Sequence, residues 1–278
     1  MFDRAVLVHY HEIGLKGRNR AHFENVLKRN IQAAVGDLTE HETRRIASRL
    51  LVRLSDAERR EEIIERVTAL PGISYVADAL VTARDLRDMG NAAVLCMREA
   101  GEWESFRVEA RRSNTDYPVN SNQINIEVGQ RLVDEFGRRV DLTMPDATCF
   151  IEVVQGDAYI YSRRLAGPGG LPVGTAGKVV ALLSAGIDSP VACWRMGRRG
   201  AVVVGLHFSG APVTDDASVH RAHRIGRILE RSQIVGRIYS VAFGEIQRRV
   251  SLDAPADLRV LIYRRLMIRV AEALAARE

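Results

Sequence analysis

The sequence predicts an α/β protein, and three observations carry that prediction. Segment 178–278 repeats an apolar run followed by an amphipathic stretch, the pattern of a parallel sheet covered by helices. Segment 1–165 holds a mixed strand and helix order, as α+β units do. Between them, Ala166-Gly167-Pro168-Gly169-Gly170-Leu171-Pro172-Val173-Gly174 interrupts all periodicity. Such glycine and proline density reads either as a linker or as an ordered crossing loop.

The first strand is predicted over 6–10, and Gly14 and Gly17 punctuate the turn after it. Phe23, Val26, Leu27 and Ile31 form one apolar stripe, which predicts a helix over 21–34. Leu50, Val52 and Leu54 alternate within a strand at 46–54. A helix over 61–69 ends at Pro71-Gly72, and strand 74–81 returns. This order resembles a ferredoxin-like α+β sandwich. A second unit follows, with helix 85–99, strand 105–110, amphipathic helix 121–136 and a hairpin of 149–154 with 158–162 around Gly156-Asp157. In the last segment, strand 179–183 leads to helix 191–199, strand 202–208, helix 219–230, strand 238–241 and a final helix at 259–276. The expected domains are 1–60, 61–165 and 178–278, with 166–177 joining the last two.

Leu182-Leu183-Ser184-Ala185-Gly186-Ile187-Asp188-Ser189 carries the most chemical information. An apolar strand ends in Ser-x-Gly-x-Asp-Ser, and a helix follows from Pro190. Free N–H groups at a helix N-terminus attract anions. Gly186 lets the backbone approach a phosphate closely, because it has no Cβ. Ser184 and Ser189 add hydroxyl donors. The Asp188 carboxylate repels a phosphate, so it implies a bound Mg²⁺, a hard cation that takes carboxylate oxygens. Pro190 suits a first helical position, where its missing N–H costs nothing. The same spacing also fits an ordinary strand–helix turn. No Gly-Lys-Ser/Thr follows, which excludes a Walker A loop, and the Gly-x-Gly-x-x-Gly dinucleotide fingerprint is absent.

Composition adds bounds. The 278 residues are 46% hydrophobic, enough for a real core. No apolar run approaches the roughly 18 residues of a membrane span, and Met1-Phe2-Asp3-Arg4 lacks the features of a signal peptide. Cys96, Cys149 and Cys193 show no metal or redox spacing. These features point to the cytoplasm and to no membrane partner. The net charge of +5 gives weak support for a polyanionic partner. Lys16, Lys28 and Lys178 are the only lysines, a bias that arginine-favouring codons explain as well as RNA contacts do.

Residues 184–189 resemble the PP-loop of the ATP pyrophosphatases, Ser-Gly-Gly-x-Asp-Ser. Those enzymes split ATP between its α and β phosphates and transfer AMP to a carbonyl oxygen. Ala185 replaces the first glycine of that pattern. A methyl group there is tolerated at negative φ and strains the loop at positive φ. Other stretches resemble one family in order. Tyr10-His11-Glu12-Ile13-Gly14-Leu15-Lys16-Gly17-Arg18-Asn19-Arg20 is similar to its N-terminal signature. Phe106-Arg107-Val108-Glu109-Ala110-Arg111-Arg112-Ser113 and Val140-Asp141-Leu142-Thr143-Met144-Pro145-Asp146 are similar to the two ends of its THUMP domain. The glycine-rich crossing and the PP-loop complete the series. The family is the ThiI-type tRNA 4-thiouridine synthetases, or tRNA uracil 4-sulfurtransferases, and the resemblance covers almost the whole chain.

The resemblance implies a ferredoxin-like domain, a THUMP domain and a partial PP-loop domain. It implies ATP and Mg²⁺ as cofactors, adenylation of a tRNA uridine at its C4 carbonyl oxygen, and a persulfide sulfur supplied through a cysteine desulfurase that displaces AMP. It also implies a role in sulfur transfer towards the thiazole of thiamine. A homodimer stays open. The nucleotide contacts implied are Leu182, Leu183, Ser184, Gly186, Asp188, Ser189, His207, Phe208 and Arg265, with Asp188 at the metal. For RNA, the candidates are Lys16, Arg18, Arg20, Arg107, Arg111 and Arg112. A Gly-Glu-Ser-Leu-Gly-Gln-like segment and a sulfur-handling cysteine belong beyond the final helix in the family, and neither lies in 1–278. Cys193, one turn into the helix after the loop, is either a thiol activated by the helix N-terminus or a structural cysteine. Two functions therefore compete: an ATP-dependent tRNA sulfurtransferase, and a non-catalytic tRNA-binding protein with a vestigial ATPase half. The intact serines and aspartate favour the first, and Ala185 and the missing segment the second.

Overall fold

The computed structural model describes residues 2–38, 41–54, 59–113, 116–213 and 216–278. These form two compact units. One comprises Met1–Tyr10, Ile31–Thr68 and Ser74–Gly167, and the other His11–Asn30, Ala69–Ile73 and Pro168–Glu278.

The chain opens with β1 (Asp3–His9), a 3-10 segment at Glu12–Asn19, and α1 (Arg20–Val35). The hairpin of β2 (His41–Ile46) and β3 (Arg49–Leu54) follows, then α2 (Arg60–Thr68) and β4 (Tyr75–Ala83). Next come α3 (Leu86–Glu99), β5 (Ser105–Arg112), α4 (Ser121–Phe136), β6 (Arg139–Val140), β7 (Ala147–Val153), β8 (Asp157–Tyr161) and β9 (Leu165–Ala166). The expected ferredoxin-like order is present and gains β2. Its sequence, His-Glu-Thr-Arg-Arg-Ile, has no apolar alternation because it is the edge strand beside β3, and charged edges resist pairing with other chains.

All nine described strands of this first unit join one sheet, in the order β2-β3-β1-β4-β8-β7-β5-β6, with β9 also paired to β4. β4 is therefore shared: it runs antiparallel to β1 along one edge and to β8 along the other. One face packs against α3 and α4 through Met89, Ala93, Met97, Ile124, Val128 and Leu132, which meet Phe106, Cys149, Ile151 and Ile160. Asp85 caps α3 by accepting the Arg87 and Asp88 N–H groups, and Asn120 caps α4 by accepting that of Gln123. Each such cap contributes about 1 kcal/mol.

The opposite face buries a polar knot. Glu152 on β7 forms an ion pair with Arg49 on β3, lies 3.2 Å from His9 Nε2 on β1, and accepts the Tyr161 hydroxyl at 2.6 Å. His9 stacks on Tyr75 at 4.2 Å, and Arg164 covers Phe150 at 3.6 Å. A buried carboxylate is tolerated only when paired and hydrogen-bonded. Burial, and then the charges of Arg49, Arg164 and Arg111, push the His9 pKa down to about 3.

The second unit continues with β10 (Lys178–Leu182), α5 (Asp188–Arg198), β11 (Val202–Ser209), α6 (Ala217–Glu230), β12 (Val235–Ala242), α7 (Gly244–Asp253) and α8 (Arg259–Ala275). Its three strands are parallel in the order β10-β11-β12, as the alternation predicts. Leu183, Cys193, Val203, Leu229, Ile234 and Val235 form its core. α7 falls where the sequence reading places no element. Among its residues only Gly244 is buried, so it leaves a weak apolar stripe.

The stretch 168–177 is ordered. Leu171 N–H donates to the Arg198 carbonyl at 2.8 Å, and the Gly174 N–H to that of Gly200 at 2.8 Å. Gly170 sits at φ +76°, and a Cβ there would lie 2.2 Å from the Arg198 carbonyl oxygen. Close backbone approach therefore explains the glycine, and the ordered form of the two open readings is the one observed.

Because His9 is held neutral when folded, the unfolded chain binds more protons between about pH 6.5 and 3. Stability should fall as pH drops through that window, by at most about 1.4 kcal/mol per pH unit for this group. His9→Asn should flatten the dependence of melting temperature on pH between 6 and 4, and parallel curves for the two proteins would refute the assignment. Glu152→Ala should cost about 3–5 kcal/mol in urea unfolding, because it strands the buried Arg49 charge.

Candidate functional site

The site is built at the carboxyl ends of β10 and β11. Parallel pairing sets Leu182 opposite Leu206, and the Leu183 N–H continues the ladder onto the Leu206 carbonyl at 2.8 Å. Crevices outside the carboxyl ends of parallel strands are the usual ligand position in such sheets. The chain then turns through Ser184–Ile187 into α5, which starts at Asp188.

Two hydroxyls staple that turn. The Ser189 Oγ accepts the Ser184 N–H at 2.8 Å and lies 3.0 Å from the Ser184 Oγ. The Ser184 Oγ in turn accepts the Gly186 N–H at 3.2 Å. Ser184 is exposed on the loop, and Ser189, in the first turn of α5, is half-buried. Ala185 is not among the residues at positive φ, so the methyl in place of the first glycine of the pattern introduces no backbone strain. Gly186 also lies outside the positive-φ set, and a Cβ there would meet only the Ser184 Oγ, at 3.4 Å. Its value is the open space above the loop. No side chain caps the start of α5, which leaves its first N–H groups free for an anion. Pro190 is the third residue of α5 and not its first, but it still lies in the first turn, where no intrahelical donor is lost.

Asp188 is exposed at the mouth of this loop. Among the described residues no group of three or more His, Cys, Asp or Glu could hold a metal. A single carboxylate fits Mg²⁺, which is typically held by one or two carboxylates together with substrate phosphates.

His207 is buried and uses both ring nitrogens. Nδ1–H donates to the Leu183 carbonyl at 2.9 Å, and Nε2 lies 3.2 Å from the Ser218 Oγ on α6. The imidazole therefore ties the end of β10 to the start of α6. Sequence reasoning missed Ser218, since nothing in a lone serine at a helix start signals that role. Phe208 is half-buried and packs edge-on against Phe243, 5.2 Å away. Leu182 is 43% exposed, unlike the buried Leu183, so it presents an apolar surface beside the loop. Arg265 is exposed on α8, which packs on β10, and has no ion pair or side-chain hydrogen bond among the described residues. Leu182, Leu183, Ser184, Gly186, Asp188, Ser189, His207 and Phe208 thus lie at or just beyond the carboxyl ends of β10 and β11, and Arg265 stands on α8, which packs on β10.

The RNA candidates divide between the units. Arg107 and Arg111 both reach Glu109, at 3.2 and 2.7 Å, and Arg112 donates to the Tyr117 and Val119 carbonyls at 2.6 and 3.0 Å. In the other unit, Lys16 lies 5.3 Å above Phe23, Arg18 is exposed, and Arg20 donates to the buried Glu24 at 2.8 Å.

All three cysteines are buried. Burial raises the thiol pKa of Cys193, raises that of Cys96 to about 11, and pushes Cys149 well up. Of the two readings of Cys193, the structural one holds.

Comparison with known proteins agrees with this architecture. Residues 5–77 match the model of the ThiI ferredoxin-like domain, 83–163 the THUMP domain, and 174–278 the thiamine biosynthesis protein ThiI. A "Probable tRNA sulfurtransferase" of Nocardia farcinica is 37% identical over 98% of this chain and 67% of its own length. One from Moorella thermoacetica is 36% identical over 99% of this chain and 70% of its own. The crystal structure of a 4-thiouridine synthetase in complex with RNA, with bound ATP, superposes with a TM-score of 0.88 at 31% identity, covering 99% of this chain and 71% of that one. The chain belongs to the ThiI family of tRNA sulfurtransferases.

His207→Ala should lower stability by about 1–3 kcal/mol in urea unfolding, because it leaves the buried Leu183 carbonyl unpaired. An unchanged midpoint would show that the tie contributes nothing. The native chain should react with a thiol reagent such as DTNB only at the rate at which it unfolds, and a thiol titrating rapidly in buffer would contradict the burial.

Proposed function

We propose that this protein activates a tRNA uridine with ATP so that sulfur can replace the C4 oxygen, giving 4-thiouridine. The observation that carries the reading is the serine-stapled loop at 184–189, set at the carboxyl end of a parallel strand and opening onto an uncapped helix N-terminus. A triphosphate would lie on the free N–H groups of the loop and of the first turn of α5, where unsatisfied donors and the helix dipole favour negative charge. Asp188 would hold Mg²⁺ against the phosphates, and the ion would offset charge that gathers on the pyrophosphate. Leu182 and Phe208 offer apolar and aromatic surface to adenine. Arg265 would neutralise phosphate charge as pyrophosphate leaves.

In the balanced reaction, the uridine C4 oxygen attacks the α-phosphorus and pyrophosphate departs. The outer sulfur of a carrier persulfide then attacks C4 and AMP departs with the original oxygen, which leaves a C4–S–S–carrier disulfide. A second thiol attacks the carrier sulfur, so that 4-thiouridine is released and the two carrier thiols end as a disulfide. The thiols of Cys96, Cys149 and Cys193 are buried and hard to ionise, so the sulfur comes from a thiol outside these residues, loaded through a cysteine desulfurase. The relatives' names and the RNA-bound neighbour support tRNA as the substrate, with Arg18 and the 83–163 THUMP region as contacts. The matching family's name supports a second role, in sulfur supply for thiamine. The domain limits 1–60, 61–165 and 178–278 remain part of this proposal.

Calorimetry of Mg·ATP binding should show metal-dependent heat that Asp188→Ala abolishes. Equal affinity for the two proteins would remove Asp188 from the metal site. With tRNA, Mg·ATP, a cysteine desulfurase and cysteine, the 278-residue chain should release pyrophosphate and form no 4-thiouridine. Near-ultraviolet absorbance of 4-thiouridine above the no-enzyme control would overturn the assignment of the sulfur thiol.

A further inference from the structure

We propose that the outer face of α6 is a second contact for the RNA phosphate backbone, on the unit that carries the nucleotide loop. This rests on the reading above that the protein acts on tRNA.

The face is defined by helix geometry. With 3.6 residues per turn, Ala222, Gly226 and Leu229 fall on one side of α6, and these are its buried residues. Arg224, Arg227 and Arg231, at the helix C-cap, fall on the opposite side and are exposed. His220 lies on the same side. The three guanidinium groups span about 10 Å of helix axis. Glu230 is the only acidic residue of α6.

These arginines are uncommitted. None of the three forms an ion pair or a side-chain hydrogen bond with any described residue. Most of the arginines that sequence similarity selects are spent internally, Arg107 and Arg111 on Glu109, Arg112 on two carbonyls and Arg20 on Glu24, which leaves Arg18. Arg248, Arg249 and Arg98 are likewise matched to Glu245, Asp253 and Glu135. A row of guanidinium groups with no ion pair among the described residues, on a helix whose other face is packed, retains its capacity for bidentate contacts to phosphate. The packing also separates RNA from a lipid surface. A membrane-surface helix needs its apolar face free to enter the bilayer, whereas that of α6 is committed to the core through Leu229 and Ala222.

The test uses the whole chain and an unmodified tRNA transcript, with affinity followed by fluorescence anisotropy from 50 to 200 mM salt. The triple variant Arg224→Gln/Arg227→Gln/Arg231→Gln should bind more weakly, with a salt slope shallower by about 2–3, since each phosphate contact contributes about 0.7–0.9. Arg→Lys at the same three positions should restore most of the slope. The matched control Arg98→Gln/Arg248→Gln/Arg249→Gln removes the same charge and should leave the slope unchanged. An equal loss in the control would reduce the effect to net charge and overturn the proposal. Unchanged binding by the α6 variant would overturn it while leaving tRNA recognition intact. No binding by the wild type would remove the tRNA reading and this proposal together. Capture of the wild type by phosphatidylserine vesicles, lost in the α6 variant with tRNA affinity unchanged, would reassign the face to membranes.

Discussion

The carboxylate of Glu152 is the constraint on which the first unit depends. It stands on β7, yet its partners come from β1, β3 and β8. Those strands belong to two sequence blocks, the ferredoxin-like block and the THUMP block, matched at 5–77 and 83–163. β4 joins the blocks through the backbone, and Glu152 joins them through side chains. A buried carboxylate without these partners would cost several kcal/mol, so the knot ties the two blocks to one register. The neutral His9 and the stacked Tyr75 complete the enclosure.

The second unit uses smaller means for a similar end. Its loop is shaped by two serine hydroxyls and one histidine, with no charged group among the ties. That arrangement suits a site for a polyanion. Cationic side chains pinned within the loop would have to be desolvated, whereas backbone N–H groups held at fixed angles pay no reorganisation when charge arrives. His207 serves this purpose from beneath, as a brace between β10 and α6, and its ring is unavailable to touch a ligand while both nitrogens are engaged. What the structure assigns to the His207 ring is the brace. Phe208 and Leu182 keep surface for direct contact.

The arginines show that residue type alone does not report which cations are already paired within the fold. Arg107 and Arg111 share one glutamate, an arrangement that fixes their guanidinium planes and reduces their local charge. Arg112 is occupied by carbonyls that terminate neighbouring turns. α6, which has no sequence signature, carries one acid, Glu230, and its Arg224, Arg227 and Arg231 form no ion pair among the described residues.

Much was legible in the sequence because it is local. Apolar runs mark β10 and β11, the stripe of Phe23 to Ile31 marks α1, Pro71-Gly72 marks the end of a helix, and Ser-x-Gly-x-Asp-Ser marks the turn from strand to helix at 184–189. Each is a property of a few neighbouring residues, which an apolar run, a helical stripe or a turn dipeptide exposes. β2 and α7 escaped notice because an edge strand and a short surface helix bury too little to need a pattern. Only the tertiary structure decided the rest. It placed Ala185 at negative φ, set Leu182 in the open, closed Cys193 away, and brought Glu152 to Arg49 and His207 to Ser218. These outcomes depend on which distant strands become neighbours and on how much water each side chain keeps. A residue's charge, reach and reactivity are set by that environment, which the local pattern of the chain does not encode.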